Sequence, residues 1–304
     1  MLWAITSYFN PMHYERRRTN YQLFRKSLKV PLVAVELAYG RNFELAETDA
    51  DILVQLRGKD VMWQKERLLN LALSALPPTC RKVVWMDCDV IFDSEDWAER
   101  VSYLLDHSLL VQAFSDAHHL SPNWNSRDAQ PATLFTQPSA VSTVSSGVEA
   151  AELFARPNER GPYSTSKGLA WAARREELTK TGLYDACIIG GGDLAMISAV
   201  YGCFDIAMRN MNERQKEHYL GWARRCHEMY CADISFLDGR LFHLWHGEVD
   251  RRYYRERHDG LRRFDFDPFK DIAHDENGSW CWNTDKPDMH DYVRNYFATR
   301  GEDR

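Results

Sequence analysis

Apolar positions along the first hundred residues come in short blocks separated by polar, turn-forming punctuation. Leu2 to Tyr8 (LWAITSY) is a nearly unbroken apolar run cut off by Asn10-Pro11, the pattern of a buried strand. Tyr14, Tyr21, Phe24 and Leu28 recur at helical spacing and predict an amphipathic helix over 14–28. Pro31 opens a second strand, LVAVELAY, which runs to Tyr39 and stops at Gly40. Asp60 is placed to cap a helix that Pro77-Pro78 ends. KVVWMDCDVIF reads as one strand with two acids embedded in it. Ser94 caps a helix through Leu105, and LLVQAFS is a fourth strand. Strands alternating with helices predict a parallel sheet with helical crossovers.

Beyond that point the rhythm changes. Residues 118–146 are rich in Ser, Pro, Asn, Gln and Thr, and the whole 116–166 stretch reads as a long functional loop, an acceptor cleft or lid carrying Trp124. It is expected to be mobile without ligand. LAWAAR (Leu169 to Arg174), a short helix and a stop at Gly182 come next. Glu213 to Tyr230 predicts a helix, and ISFL-Asp238-Gly239-RLFHLWH a hairpin with a tight Asp-Gly turn. Past Gly247 the chain becomes basic and aromatic, and Pro287 to Arg300 has the form of a helix with Pro at its start. The expected organisation is one body over 1–250 and a basic, aromatic extension over 251–304.

Composition narrows the classes. Of 304 residues, 44% are apolar and 27% charged, which is enough apolar content for a core and too much for a disordered chain. A net charge of −6 supplies no global attraction to nucleic acid or anionic membrane. The opening MLWAITSYFNPMHYERRR lacks the form of a signal peptide, and no run approaches the roughly 20 apolar residues of a membrane span. Seven cysteines without a CxxC pair are expected to be reduced thiols in a cytoplasmic protein.

Against this background a few positions carry chemistry. Asp87 and Asp89 stand two apart at the end of VVWM, so on a strand they share one face. Paired carboxylates at the carboxyl end of a buried strand are costly unless compensated. A hard divalent cation, Mg²⁺ or Mn²⁺, compensates them, and such strand ends are where open α/β sheets bind ligands. The alternative is a strand-end Asp that caps the next loop. Gly190-Gly191-Gly192-Asp193 precedes a helix. It is either a plain aspartate cap after a flexible turn or a carboxylate held toward substrate, able to take a proton from an acceptor hydroxyl. In His243-x-x-His246-Gly247, residues three apart on a strand face opposite sides, so His246 is the candidate ligand and His243 is read as a core residue. Trp63 and Lys65 open a helix where an aromatic could lie under a base or ribose and a cation could reach a diphosphate. Arg251, Arg252, Arg255, Arg257, Arg262 and Arg263, with Tyr253, Tyr254 and Phe264, form a solvated face or a polyanion-binding one.

Taken in order, the acidic strand end, the Gly-Gly-Gly-Asp turn and the late histidine resemble the GT-A glycosyltransferases. Lys167 to Met196 (KGLAWAARREELTKTGLYDACIIGGGDLAM) is similar to their galactosyltransferase-like segment, with Gly168, Trp171, Gly191, Gly192 and Asp193 in the matching places. The tail from His243 onward resembles bacterial and phage transferases with a His-Gly, Arg-x-Tyr, Arg pattern, and the likeness spans about residues 1–275. The resemblance implies an α/β GT-A fold, with a Rossmann-like, mostly parallel central sheet, flanking helices and a C-terminal helical extension. It implies a nucleotide-diphosphate sugar donor, a UDP-sugar first among them, with Thr6, Tyr8 and Glu36 at the nucleoside. Mn²⁺ or Mg²⁺ would sit on Asp89 and His246, with Asp87 reached directly or through water or ribose, and Asp193 would be the catalytic carboxylate. The acceptor is a hydroxyl: a hydroxymethylated base of phage DNA, a glycan, a lipid-linked sugar or a protein. Two rival readings are a nucleotidyltransferase, which should show a Gly-rich phosphate loop that SYFNPMHYERRR lacks, and a non-catalytic binding module on the same fold.

Overall fold

The computed structural model describes residues 1–124, 132–155, 164–231, 233–253 and 256–303. The apolar run at the start forms β1 (Leu2–Phe9), followed by α1 (Glu15–Ser27) and β2 (Leu32–Ala38). A strand not foreseen from the sequence, β3 (Ile52–Arg57), pairs with β2 at the sheet edge, where its residues are only half-buried and the apolar signal is diluted. Helix α2 (Lys65–Ser74) starts five residues after Asp60, whose carboxylate instead accepts from the Trp282 backbone N–H.

KVVWMDCDVIF is not one strand. It breaks into β4 (Lys82–Met86) and β5 (Val90–Phe92), with Asp87-Cys88-Asp89 as the turn between them. Helix α3 (Trp97–His107) and β6 (Leu110–Gln112) follow.

The span read as a long irregular loop is largely regular where it is described. It holds β7 (Asp116–Leu120), β8 (Thr133–Pro138), α4 (Ala140–Ser145) and α5 (Ala150–Ala155). Residues 125–131 and 156–163, on which part of the mobile-lid expectation falls, lie outside the described residues. The polar composition misled because no residue of β8 is fully buried and half are exposed, so the strand needs few apolar residues. Next come β9 (Ala170–Arg174), α6 (Arg175–Thr181), α7 (Gly192–Val200), α8 (Phe204–Met208) and α9 (Glu213–Tyr230).

The expected hairpin is absent. β10 (Ile234–Phe236) pairs with β6 in one sheet, whereas β11 (Arg240–His243) pairs with β5 and β7 in another. The Asp-Gly turn is thus a crossing point between sheets. The remainder holds α10 (Glu256–Arg262), β12 (Ile272–His274), β13 (Trp280–Trp282) and α11 (Pro287–Thr299).

The result is an α/β fold whose central seven-stranded sheet runs β10-β6-β9-β4-β1-β2-β3. All its pairings are parallel except those of β9, which lies antiparallel between β4 and β6. A second sheet, β5-β11-β7-β8, stands beside it. Strand alternation sorts the core into two halves. Ile5, Val33, Val35, Val83 and Trp85 face the layer containing α2, α7, α9 and α11, while Ala4, Tyr8, Ala34, Val84 and Met86 face α1, α3 and the second sheet.

Candidate active site

The carboxyl ends of β1 and β4 open into a cleft of about 660 Å³, walled by the second sheet on one side and by α7 and α10 on the other. At its base the Asp87–Asp89 turn is pinned twice. The Asp87 N–H donates to Leu169 O at 2.8 Å, and the Leu244 N–H donates to Asp89 O at 2.8 Å. The second bond ties the turn to the end of β11. Just past His243 the chain leaves the ladder, so strand alternation ceases to apply and His246 swings to the same side as His243.

Three side chains therefore converge. His243 Nε2 lies 3.6 Å from Asp89 Oδ1, His246 Nε2 lies 3.4 Å from Asp89 Oδ2, and the two imidazole Nε2 atoms are 3.2 Å apart. The expectation that His243 is a bland core residue facing away is corrected: it belongs to the cluster. Burial lowers the pKa of both rings, with Arg252 also acting on each; that of His246 falls to about 3, so both are neutral ligands-in-waiting. Asp89 Oδ1 is buried without a hydrogen-bond partner. A buried carboxylate oxygen left bare beside two neutral imidazole nitrogens fits a divalent cation.

Behind His246 stands Glu302, buried and held by Arg17 Nε and Arg300 Nε, each at 2.5 Å, with its Oε1 3.9 Å from His246 Nδ1. Those cations hold its carboxyl well below the usual range despite burial.

Asp87 does not join the three. Its Oδ1 takes an ion pair from Lys65 Nζ at 2.7 Å, and the same ammonium reaches Asp193 at 3.0 and 3.3 Å. Lys65 is thus spent on two carboxylates. Burial, with Asp193 and Asp89 nearby, pushes Asp87 up to about 6 against the pull of Lys65. Asp193 is not the cap of α7: that place belongs to Gly191, at φ 105°, and Asp193 sits one turn-position inside with its side chain on the cleft. Its carboxylate rests on Gly168, where any Cβ would overlap it.

The three glycines are filled by protein. Gly190 lies under Arg257 and Gly191 under His258, while Gly192 lies where a Cβ would overlap the Glu66 carboxylate. Gly190 and Gly191 line the cleft and Gly192 does not. Trp63 lines it too, edge-on to Phe9 and stacked with Phe297, with the Arg300 guanidinium 5.2 Å from its ring.

Several expected nucleoside contacts are off the cleft. Thr6 donates to Met86 O at 2.8 Å in the core, Tyr8 donates to Glu44, and Glu36 accepts from the Glu44 N–H and from Gln55 Nε2. On β1 the cleft face is carried by the other parity, Ser7 and Phe9. Trp171 is likewise buried, its indole N–H on Lys167 O at 3.0 Å.

The basic tail splits. Arg252 and Arg257 turn into the cleft, and Arg257 bonds Tyr296; Arg251, Arg262 and Arg263 are exposed elsewhere; Arg255 and Tyr254 lie outside the described residues. Among the described residues these arginines do not gather on one face. Sequence reasoning missed His119, Gln137, Arg17, Arg300 and Glu302: His119, Arg17, Arg300 and Glu302 meet partners over a hundred positions away, and Gln137 meets His119 only through strand pairing, so nothing local marks them.

No protein-family model matches the chain, and no curated protein matches it. Solved structures do. Residues 1–349 of TarS from S. aureus match with 9% identity and a TM-score of 0.43, covering 84% of this chain and 63% of that one. Glucosyl-3-phosphoglycerate synthase from Mycobacterium tuberculosis, with Mn²⁺, UDP-glucose and phosphoglyceric acid, matches at 14% and 0.44, covering 87% and 79%. The mannosyltransferase PcManGT from Pyrobaculum calidifontis, with GDP-Man and Mn²⁺, matches at 16% and 0.43, covering 87% and 63%. These neighbours are GT-A glycosyltransferases. At such values the likeness concerns the path of the chain alone, and this chain spans under two thirds of the TarS fragment's length. Among the described residues no helix is long and apolar enough to cross a membrane.

Proposed function

We propose that the protein is a metal-dependent glycosyltransferase that moves a sugar from a nucleotide diphosphate to an acceptor hydroxyl. One observation carries this: a cation-competent cluster (Asp89, His243, His246) and a separate cleft-facing carboxylate (Asp193) flank one cavity at the carboxyl ends of parallel strands. Asp89, His243 and His246 would hold Mn²⁺ or Mg²⁺, whose chemistry is to neutralise a leaving diphosphate. Asp193 is the group placed to take the acceptor proton. Lys65 holds it against Gly168 and shares its charge with Asp87, so the carboxylate keeps one orientation. Trp63 and Phe9 offer an apolar floor, while His119, Phe135 and Gln137 of the second sheet form the wall across from α10. The 116–166 span contributes that wall, which we assign to acceptor binding. Residues 251–304 are an extension packed on the 1–250 body: Leu261, Met289, Val293 and Phe297 enter the same core as Ile5 and Val83.

The test is thermal unfolding of the protein with a panel of UDP- and GDP-sugars, with and without Mn²⁺, followed by nucleoside diphosphate release for any hit. A cognate donor at 100 times its Kd stabilises by about 2.7 kcal/mol. Stabilisation is expected only when Mn²⁺ and donor are present together. If no nucleotide sugar shifts the transition in Mn²⁺, the proposal fails; release of pyrophosphate in place of nucleoside diphosphate would mark a nucleotidyltransferase.

A further inference from the structure

Behind the metal cluster runs a chain of hydrogen bonds with a fixed direction. Gln137 Nε2 donates to Ser164 Oγ, and its Oε1 faces His119 Nε2 at 3.0 Å. His119 Nδ1 in turn faces His243 Nδ1 at 2.9 Å. A neutral imidazole has one N–H and one lone pair. With the amide in this orientation and His119 neutral, its proton sits on Nε2 to meet a carbonyl oxygen, which leaves its Nδ1 as an acceptor. His243 must then carry its proton on Nδ1, and its Nε2 is a bare lone pair.

The far end of the chain agrees. His246 Nε2 has one lone pair and already faces Arg252 Nη2 at 2.9 Å, so it cannot also accept a proton from His243 Nε2, 3.2 Å away. The His119 ring is itself immobilised by Phe135, stacked at 4.2 Å between centroids and 14° between planes.

We infer that His119 is a positioning residue that locks His243 in the Nδ1–H form, so that the cluster binds its cation through the Nε2 lone pair of His243, one carboxylate and, once the cation displaces the Arg252 guanidinium, the Nε2 lone pair of His246. The inference rests on the metal reading above. Its consequence is selectivity: two nitrogen donors favour borderline ions such as Co²⁺ or Zn²⁺, Mn²⁺ gains less, and oxygen-seeking Mg²⁺ gains little from them. Partners that orient a ligating histidine are typically worth about 10- to 100-fold in metal affinity.

Two measurements test it. The first needs no variant: long-range ¹H–¹⁵N correlation on the metal-free protein at neutral pH assigns the tautomer of each imidazole. His243 is expected as Nδ1–H; finding Nε2–H overturns the inference and leaves the metal site standing. The second is titration with Co²⁺, followed by its visible absorption, and with Mg²⁺ by calorimetry. His119→Phe keeps the stack on Phe135 and removes the acceptor, so Co²⁺ affinity should fall about 10- to 100-fold. His119→Asn, whose Oδ1 stands close to the place of Nδ1, should recover part of the loss, and Mg²⁺ affinity should barely move in either. Equal Co²⁺ affinity in wild type and His119→Phe refutes the role of His119. No Co²⁺ or Mn²⁺ binding by the wild type refutes the metal reading and the inference together.

Discussion

One lysine among three carboxylates sets a pH-dependent strain at the base of the cleft. Lys65 pairs with Asp87 and Asp193, and Glu66, next to it at the start of α2, is buried beneath Gly192. A single cation cannot keep three acids ionised in a low-dielectric site, and the most enclosed of them retains its proton. Burial is the first cause that lifts Glu66 from 4.5 to about 8, with Asp193 and Asp87 adding to it and Lys65 opposing. At about 1.4 kcal/mol per pH unit, that rise makes ionisation of Glu66 cost on the order of 5 kcal/mol more in the fold than in the unfolded chain. Water entry and relaxation reduce this by up to about half, leaving about 2–5 kcal/mol. The folded pKa is raised, so the folded state binds the extra proton. Stability falls as pH rises from about 4.5 to about 8. Glu66→Gln keeps the shape and cannot ionise. Its unfolding temperature in EDTA should match wild type near pH 5 and exceed it at pH 9 by roughly 4–10 °C, at about 2 °C per kcal/mol for a chain of this size. A difference that stays constant from pH 5 to 9, or a variant less stable at pH 9, would refute the reasoning.

Other positions test the remaining assignments. Asp193→Asn should cost at least about 10²-fold in turnover with donor binding nearly intact, measured as kcat and KM for sugar transfer. Gly168→Ala should displace the Asp193 carboxylate that rests on it, lowering turnover while Mn²⁺ affinity stays near wild type. Thr6→Val removes a buried bond to Met86 O and should lose about 1 kcal/mol of stability in urea unfolding, with donor affinity unchanged, since Thr6 is off the cleft.

The alternation of apolar blocks made the parallel sheet legible, because β1, β2 and β4 are buried on both faces and their sequences say so. β3 and β8 escaped because edge strands bury little and carry no such signature. Asp89, Asp193 and His246 stand out in the sequence because a charge at a strand end, or a histidine beside a glycine, is locally unusual, and all three line the cleft. Asp87 was placed with the metal by strand periodicity, yet the strand stops at Met86, and its carboxylate goes to Lys65. The same rule fails for His243 and His246, because β11 ends at His243 and the ladder does not extend to His246. Periodicity holds only while the ladder does, and sites are built where ladders end. The resemblance puts Thr6 and Tyr8 at the donor, whereas strand parity puts Ser7 and Phe9, not Thr6 and Tyr8, on the cleft.

The way Glu302 closes behind His246 bears on how the molecule reaches its native state. Asp303 also accepts from the backbone N–H groups of Glu15 and Arg16, and the Tyr14 hydroxyl bonds Phe297 O, so the last turn of chain is laced onto the first helix. Asp89 and Glu302 are roughly two hundred residues apart, and contacts of such separation form late because the loop between them must first be closed. The sheet can therefore assemble before the cluster exists. If the proposed site takes up a cation, uptake followed in a stopped-flow refolding experiment should trail the return of secondary structure and report the late meeting of Asp89 with His243 and His246, a clock for completion built into the cluster.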